Sequence, residues 1–356
     1  MDINHITDRM NHAEKKELLR DAILARAGVR PHRLHPSAAG IAEEDVSLLS
    51  VLAQVCGEIE NRGRPAGSSI VGLTTSDFAI ELSGLLTSLA MPGLQANTWH
   101  RKICDMRTVP NYNPHEFAQT LLYPEMPLIL EGGEPKGMLI AGETGSVSKR
   151  LHDYGTDLFV SRATITNDDV SLMARMAKDI GAAATRRESQ AIFQLLESNP
   201  SLGDSAPMFS VEAGNLYEQI LTDYNLGVAM GLLRSTPLVG DEKADLTAKF
   251  LVVSPELEYE ASKLVHDAGL AIEVGSSAWL PATRWYVFGD PLAAPVITLF
   301  HLPGAADKVG FSKTGGKRNQ ESNTFTSYFP RDGVALGARF SFGVAQTGRF
   351  AIRGGN

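Results

Sequence analysis

Residues 167–200 read NDDVSLMARMAKDIGAAATRRESQAIFQLLESNP, the longest unbroken helical pattern in the chain. Apolar residues recur at Val170, Met173, Ala177, Ile180, Ala184, Ala191 and Leu195, the spacing by which a helix gathers one apolar face. Asn167 or Asp168 offers a capping side chain, and Asp169 suits the positive end of the helix dipole. Ser198-Asn199-Pro200 ends the pattern, because proline disfavours helical backbone in the residue before it. About 30 residues at ~1.5 Å each make a rod of roughly 45 Å, long for a compact domain. Periodicity leaves two readings open: a core helix of a large fold, or a spine from which an assembling subunit is hung.

The chain around it has 356 residues, enough for two or three domains and a sizeable core. Hydrophobic content of 43% and charged content of 21% are those of an ordinary globular protein. A formal net charge of -8 argues against whole-protein attraction to nucleic acid or an anionic membrane. Cys56 and Cys104 are too few for a disulfide framework or a cysteine-rich metal site. The N-terminal run MDINHITDRMNHAEKKELLRD has no apolar core and does not read as a signal peptide. No run approaches the roughly 20 apolar residues of a membrane span.

Before the long helix, residues 8–28 read as a helix with Leu18, Leu19, Ala22, Ile23 and Ala25 on one stripe, followed by a linker over 29–42. Residues 43–61 form a second amphipathic pattern, and residues 78–90 a third, ended by Met91-Pro92-Gly93. Trp99 to Val109 reads as helix or strand. A turn-rich excursion follows, with EGGEPKG at Glu131–Gly137, and returns through a strand over Lys149–Arg162. A two-stranded ribbon of that length has too little apolar surface to stand alone and has open edges. It needs a bed, either a neighbouring subunit or its own chain.

Beyond the helix, Leu202 to Ala213 is turn-rich, and a helix is expected from Gly214 or Asn215 to about Leu233. Phe250–Val253, Trp285–Phe288 and Val296–Leu302 read as buried strands, with a Pro255-initiated helix to His266 after the first. Residues 304–323 read as a polar loop, and Gly333 to Arg353 as one or two closing strands, alternating through Phe340, Phe342 and Val344.

The chemical motifs fail on inspection. His115-Glu116 begins like a zinc-protease helix, but Gln119 stands where the second histidine belongs. His32 and His35 lie among prolines with no third ligand near. GFSKTGGK at Gly310–Lys317 resembles a phosphate loop, yet its glycine register is wrong and Arg318 replaces the required hydroxyl. No nucleophile elbow or dinucleotide fingerprint is present. The nine histidines are scattered, although a cluster formed only in space escapes such a search. No catalytic residue, metal ligand or cofactor is assigned. Arg175, Lys178, Arg186 and Arg187 read as the solvated face of the long helix, with inter-subunit salt bridges as the alternative.

Five stretches, in order, resemble the major capsid proteins of tailed bacteriophages, in particular the Mu-like major head subunit group with the Hong Kong 97 phage-type fold. They are Asp153-Tyr154-Gly155 through Ser161-Arg162 to Asn167-Asp168-Asp169; Leu195–Pro200 with Leu202, Asp204, Phe209 and Gly214-Asn215; Phe250–Val265; Trp285–Pro295; and Asp332–Arg353. The resemblance spans about residues 74–356 and implies an α+β fold. Its parts are a helical segment over 1–73 (a possible built-in scaffold), an N-terminal arm over 74–111, an extended β-hairpin loop over 112–161, a peripheral domain with the spine helix over 162–235, an axial α/β domain over 236–320, and return strands over 321–356. It further implies a non-enzymatic subunit that assembles with itself, as hexamers and pentamers, into an icosahedral shell around double-stranded DNA. Implied partners are portal, maturation protease, scaffold and decoration proteins, with DNA touched only weakly and no membrane. The extended loop would contact a neighbour through Glu131, Gly132, Gly133, Glu134, Lys136, Lys149 and Arg150. The implied location is the virion, assembled in the host cytoplasm. An encapsulin-like compartment of the same fold is the main alternative, and a soluble hydrolase or nucleotide-binding enzyme a more distant one. Two departures stand out. Thr347-Gly348-Arg349 lacks the aromatic that relatives often carry before the arginine, and nothing marks an asparagine partner for crosslinking to Lys136.

Overall fold

The computed structural model describes Leu18, Asp21, Leu24 and Ala25, residues 76–120, Leu122, residues 145–161, Asn167, and residues 170–238, 243–313 and 333–355. The second amphipathic pattern, the linker, His32 and His35, the loop tip at Glu131–Gly137 and the second half of GFSKTGGK lie outside them. The chain is α+β and divides into two compact units. One comprises Met1–Asn97, Asp153–Thr185 and Asp307–Ser341; the other Thr98–His152, Arg186–Ala306 and Phe342–Asn356. No described helix is long and apolar enough to cross a membrane.

In the first unit, helix α1 (Ser76–Gln95) runs straight through Pro92, five residues beyond the expected end. Proline removes one backbone donor. The last turn is held from outside by the long helix, α2 (Val170–Ser198). Thr185 Oγ1 donates to the Leu94 carbonyl at 2.6 Å, satisfying one of the acceptors a helix end leaves open. The two backbones touch where glycines sit: a Cβ on Gly93 would run into the Lys178 carbonyl, and one on Gly181 into that of Ala90.

The expected stripe of α2 is correct as far as Ala177 and then shifts by one position. The buried line continues through Gly181, Thr185, Glu188, Ile192, Phe193 and Leu196, while Ile180, Ala184, Ala191 and Leu195 are only half-buried. A search for apolar residues passes over glycine, threonine and glutamate, and these three occupy the middle of the face. Of the N-terminal helix, the described residues are helical, with Leu18, Asp21 and Leu24 buried but Ala25 exposed.

The strands of this unit are β4 (His152–Ser161, from Asp153 on), β10 (Gly310–Lys313) and the first part of β11 (Gly333–Gln346). β10 pairs antiparallel with β11, Phe311 opposite Ala338, and β4 also pairs with β11. α1 packs on β10. β10 corrects the expected loop over 304–323: Gly310, Ser312 and Lys313 give no strand signal, and a ladder partner more than twenty residues later supplies the structure.

The second unit holds a five-stranded sheet ordered β5 (Leu216–Tyr217), β12 (Ala351–Gly354), β8 (Trp285–Phe288), β6 (Phe250–Val253) and β7 (Glu273–Ser276). β6 and β8 are buried at all four positions, as continuous apolar runs require when both faces are covered. Helix α3 is Asp223–Arg234, not the longer helix expected from Gly214 or Asn215. Leu216 and Tyr217 are drawn into the sheet opposite Arg353 and Gly354, and Thr222 caps the helix by accepting from the Asn225 amide. After β6, a 3₁₀ turn at Pro255–Leu257 leads into α4 (Glu258–Asp267), with Glu258 and Glu260 in its first turn and His266 in its last, suiting the helix dipole.

A second ladder of this unit joins β1 (Asp105–Thr108), β9 (Ile297–His301) and residues 343–346 of β11. Before β1, a 3₁₀ turn spans Trp99–Ile103, so both alternatives for Trp99–Val109 occur in succession. Finally β2 (His115–Ala118) pairs antiparallel with β3 (Ser146–Lys149), the two-stranded root of the expected ribbon.

Candidate functional site

The root of the ribbon is fixed within its own unit. Phe117 meets Phe300 with ring centroids 4.6 Å apart, in a cluster with Val109, Leu151 and Ala345. The Gln119 amide donates to the Gly145 carbonyl at 3.0 Å, and the Thr120 amide to that of Thr347 at 2.6 Å. His115-Glu116 lies on a strand rather than a helix, and Glu116 accepts from Ser146 Oγ. Hydrogen bonds from Ser146 and Ser148 hold its carboxyl below the usual range. Lys149 ends β3 opposite His115, and Arg150 follows, exposed. Of the other loop residues, Glu131, Gly132, Gly133, Glu134 and Lys136 lie outside the described residues. Arg175, Lys178 and Arg186 are exposed on α2, and Arg187 is half-buried and donates to Gln190.

The strongest polar constellation was hidden from the sequence. Glu188 is fully buried at the centre of α2's inner face. Its Oε1 accepts from His100 Nε2 at 2.7 Å and Arg101 Nε at 2.6 Å, its Oε2 from Arg101 Nη2 at 3.0 Å and His301 Nε2 at 3.2 Å. A carboxylate only accepts, so both histidine Nε2 atoms must carry hydrogen. Burial by itself would raise this carboxyl; the bonds from His100, His301 and Arg101, with the arginine's charge, outweigh it and hold the group far below the usual range. The partners are 88, 87 and 113 residues away in sequence. The one legible signal was Glu188's position in step with Thr185 and Ile192 on a buried stripe.

With two donors on each oxygen, the carboxylate has no free lone pair for a metal and no reach to a substrate. His100 and His301 are themselves buried. The cluster is a bolt between α2, the 3₁₀ turn and β9 within one unit. Cys104, next to it, is buried, and burial, then the charges of Glu188 and Asp105, push its thiol far up. In a Cys56→Ala chain, a thiol reagent at neutral pH is expected to label nothing until denaturant is added; rapid labelling of native protein would contradict this placement.

Three asparagine and arginine side chains explain the second resembling stretch. Asn199, at φ 45°, leaves α2 in the left-handed conformation and clasps the backbone of Phe209, accepting from its amide at 2.7 Å and donating to its carbonyl at 2.9 Å. Asn215 likewise accepts from the Ser210 amide and donates to the Met208 and Arg349 carbonyls. Arg349 forks onto Asp204 at 2.6 and 2.8 Å and donates to the Ala206 and Pro207 carbonyls. Its first effect is to pull the Asp204 carboxyl below the usual range. Before it, Gly348 passes so close to the Pro295 carbonyl that a Cβ would collide. A side chain of any size there has no room.

Nearby, Glu197 gathers Tyr286 Oη at 2.7 Å, Arg284 Nε at 3.2 Å and Arg353 Nη2 at 3.3 Å, joining the end of α2 to β8 and β12. Burial, then the Glu197 charge, push the Tyr286 hydroxyl far up, so it stays a donor.

Glu188, Glu197, Asn199, Asn215, Tyr286, His301 and Arg349 fall within a stretch that a known family covers. The sequence model described as phage capsid protein matches residues 144–352, more than half of the chain. The chain belongs to the phage capsid protein family, and it is a structural protein of the capsid shell. No curated protein sequence matches it. Among solved structures it is similar to a virus-like particle from Pyrococcus furiosus, at 11% identity and TM-score 0.48 over 75% of this chain and 96% of that one. It is similar to the capsid of Cyanophage P-SCSP1u, at 11% identity and TM-score 0.45 over 72% and 88%. It is also similar to the SrpI encapsulin of Synechococcus elongatus PCC 7942, at 11% identity and TM-score 0.44 over 72% and 86%.

Proposed function

We propose that this chain is the major head subunit of a tailed phage or prophage, assembling with itself as hexamers and pentamers into a closed icosahedral shell around double-stranded DNA. The family match over residues 144–352 carries this reading. The Hong Kong 97-type division is part of it: arm over 74–111, extended loop over 112–161, peripheral domain over 162–235, axial domain over 236–320, return strands over 321–356. In this scheme the loop beyond β2 and β3 lies on the adjacent subunit, through Glu131–Glu134, Lys136, Lys149 and Arg150. The root at β2 and β3 supports this, since a two-stranded ribbon has too little apolar surface to stand alone and needs a bed. Arg175, Lys178, Arg186 and Arg187 face a neighbour or the interior. Portal, protease, scaffold and decoration proteins complete the head in the host cytoplasm, and the subunit performs no catalysis.

Many copies joined by individually modest contacts close cooperatively. Electron microscopy of the expressed chain, alone and with its viral partners, is expected to show rings or shells, and shells from infected cells to protect genome-length DNA from nuclease. A persistent monomer under every condition would overturn the proposal. Shells filled with an enzyme cargo and no DNA would move it to the encapsulin-like reading.

A further inference from the structure

The turn over 201–207, just after α2, closes on itself. Ser201 and Pro207 form an antiparallel bridge, and the Leu202 amide donates to the Ala206 carbonyl at 2.9 Å. The Ala206 amide donates to Asp204 Oδ1 at 3.1 Å. The segment 346–349 holds this turn from outside. Gln346 Nε2 donates to the Ser201 carbonyl at 2.9 Å, and the Arg349 side chain binds Asp204, Ala206 and Pro207. The tip of the turn then meets the ribbon. Gly203 and Gly145 touch backbone to backbone, so that a Cβ on either would run into the main chain of the other. Gly145 is where the chain enters β3, and its carbonyl accepts from the Gln119 amide just past β2. The outgoing strand has a stop of its own, the Thr347 carbonyl, which accepts from the Thr120 amide. A ribbon held by one strand swings about it; a ribbon held by both keeps one direction. Gly203 to Pro207 are exposed, so the tip adds no apolar burial to the core.

We propose that this turn is a brace that sets the direction in which the ribbon leaves the subunit, with Asp204 and Arg349 as its positioning residues. The inference rests on the shell reading and adds to it what aims the extended loop. The chemistry suits aiming. A fork of two charge-assisted bonds fixes orientation as well as distance. Arg349 makes such a fork on Asp204, at 2.6 and 2.8 Å. Glycine at both meeting points puts the stop on main chain, which cannot rotate aside as a side chain would. The lever is long. Glu131 lies 11 residues beyond Thr120, a reach of at most about 40 Å. Over that reach a tilt of about 10° at the root carries the far end sideways by about 6 Å. A shift of that size is more than a packed, complementary contact can absorb.

The test follows the full-length chain by amide hydrogen exchange below its assembly concentration, then by electron microscopy above it. Asp204→Ala is expected to speed exchange at Gln119 by about tenfold, the loss of one charge-assisted pair expressed locally. The amides of β6 and β8 and the melting temperature should stay at their wild-type values. The concentration needed for closed shells should rise by about tenfold or more. Gly203→Ala keeps the fork but pushes on Gly145, and should act in the same direction. Unchanged exchange at Gln119 in both variants would overturn the brace. A lower melting temperature with faster exchange throughout the unit would mark a structural role alone and overturn it too. Faster exchange at Gln119 with closed shells at the wild-type threshold would overturn the aiming role while leaving the shell reading intact. Absence of any assembly by the wild type would overturn the shell reading and the aiming role with it.

Discussion

Glu188→Gln is expected to lower the unfolding free energy by about 3–5 kcal/mol, the usual result of removing one partner from a buried ion pair. Glutamine keeps the volume but offers one accepting oxygen where four donors converge, and its amide hydrogens point at other donors. Arg101, whose side chain is 13% exposed, keeps its charge and loses its counter-ion. Against a typical total of about 5–15 kcal/mol, the loss should be plain in a urea or thermal melt. Glu188→Leu combined with Arg101→Met should recover much of it, because removing both charges leaves neither uncompensated. The acid dependence has a definite sign. The folded-state pKa of Glu188 is depressed, so its contribution is complete above the ordinary value of 4.5 and declines as pH falls below that toward the folded value. The variant should therefore lose stability less steeply below about pH 4.5 than the wild type. Equal slopes, or a loss under about 1 kcal/mol, would show the bolt to be ornamental.

Gly181→Ala and Gly84→Ala should move stability in opposite directions although the chemistry is identical. In an open helix, glycine to alanine gains up to about 1 kcal/mol of propensity. Gly84 is exposed, and an added Cβ there meets nothing within 4 Å, so that gain is expected. At Gly181 the same methyl enters the Ala90 carbonyl, which is backbone and cannot rotate aside. Overpacking costs about 1–3 kcal/mol; with no flexible atom to yield, the upper end applies and the net loss is about 2 kcal/mol. Gly93→Ala should behave like Gly181→Ala. The double variant should cost less than the sum, because helices already separated by one methyl leave room for the other. A stabilising Gly181→Ala in a thermal melt would mean that α1 and α2 do not cross at this contact.

The sequence by itself determined the elements whose signal is local. The long helix, the four-residue buried strands Phe250–Val253 and Trp285–Phe288, and the Pro255-initiated helix were legible because period and punctuation are properties of neighbouring residues. So was the family, since five spaced stretches in one order are a linear pattern. Where the helix ended after Pro92, where β10 paired, and why α3 begins only at Asp223 depended on partners distant in the chain. The same holds for the stripe of α2. Its middle is Gly181, Thr185 and Glu188, which no hydrophobic scale places inside. They are inside because α1 comes close enough to exclude a side chain, offers Thr185 a carbonyl, and because two histidines and an arginine from remote segments converge on Glu188. Burying a polar group is favourable only when its partners are already placed, and placing partners is what tertiary structure does. The helix that dominates the sequence is set by its own residues; which face it buries is set by what packs against it.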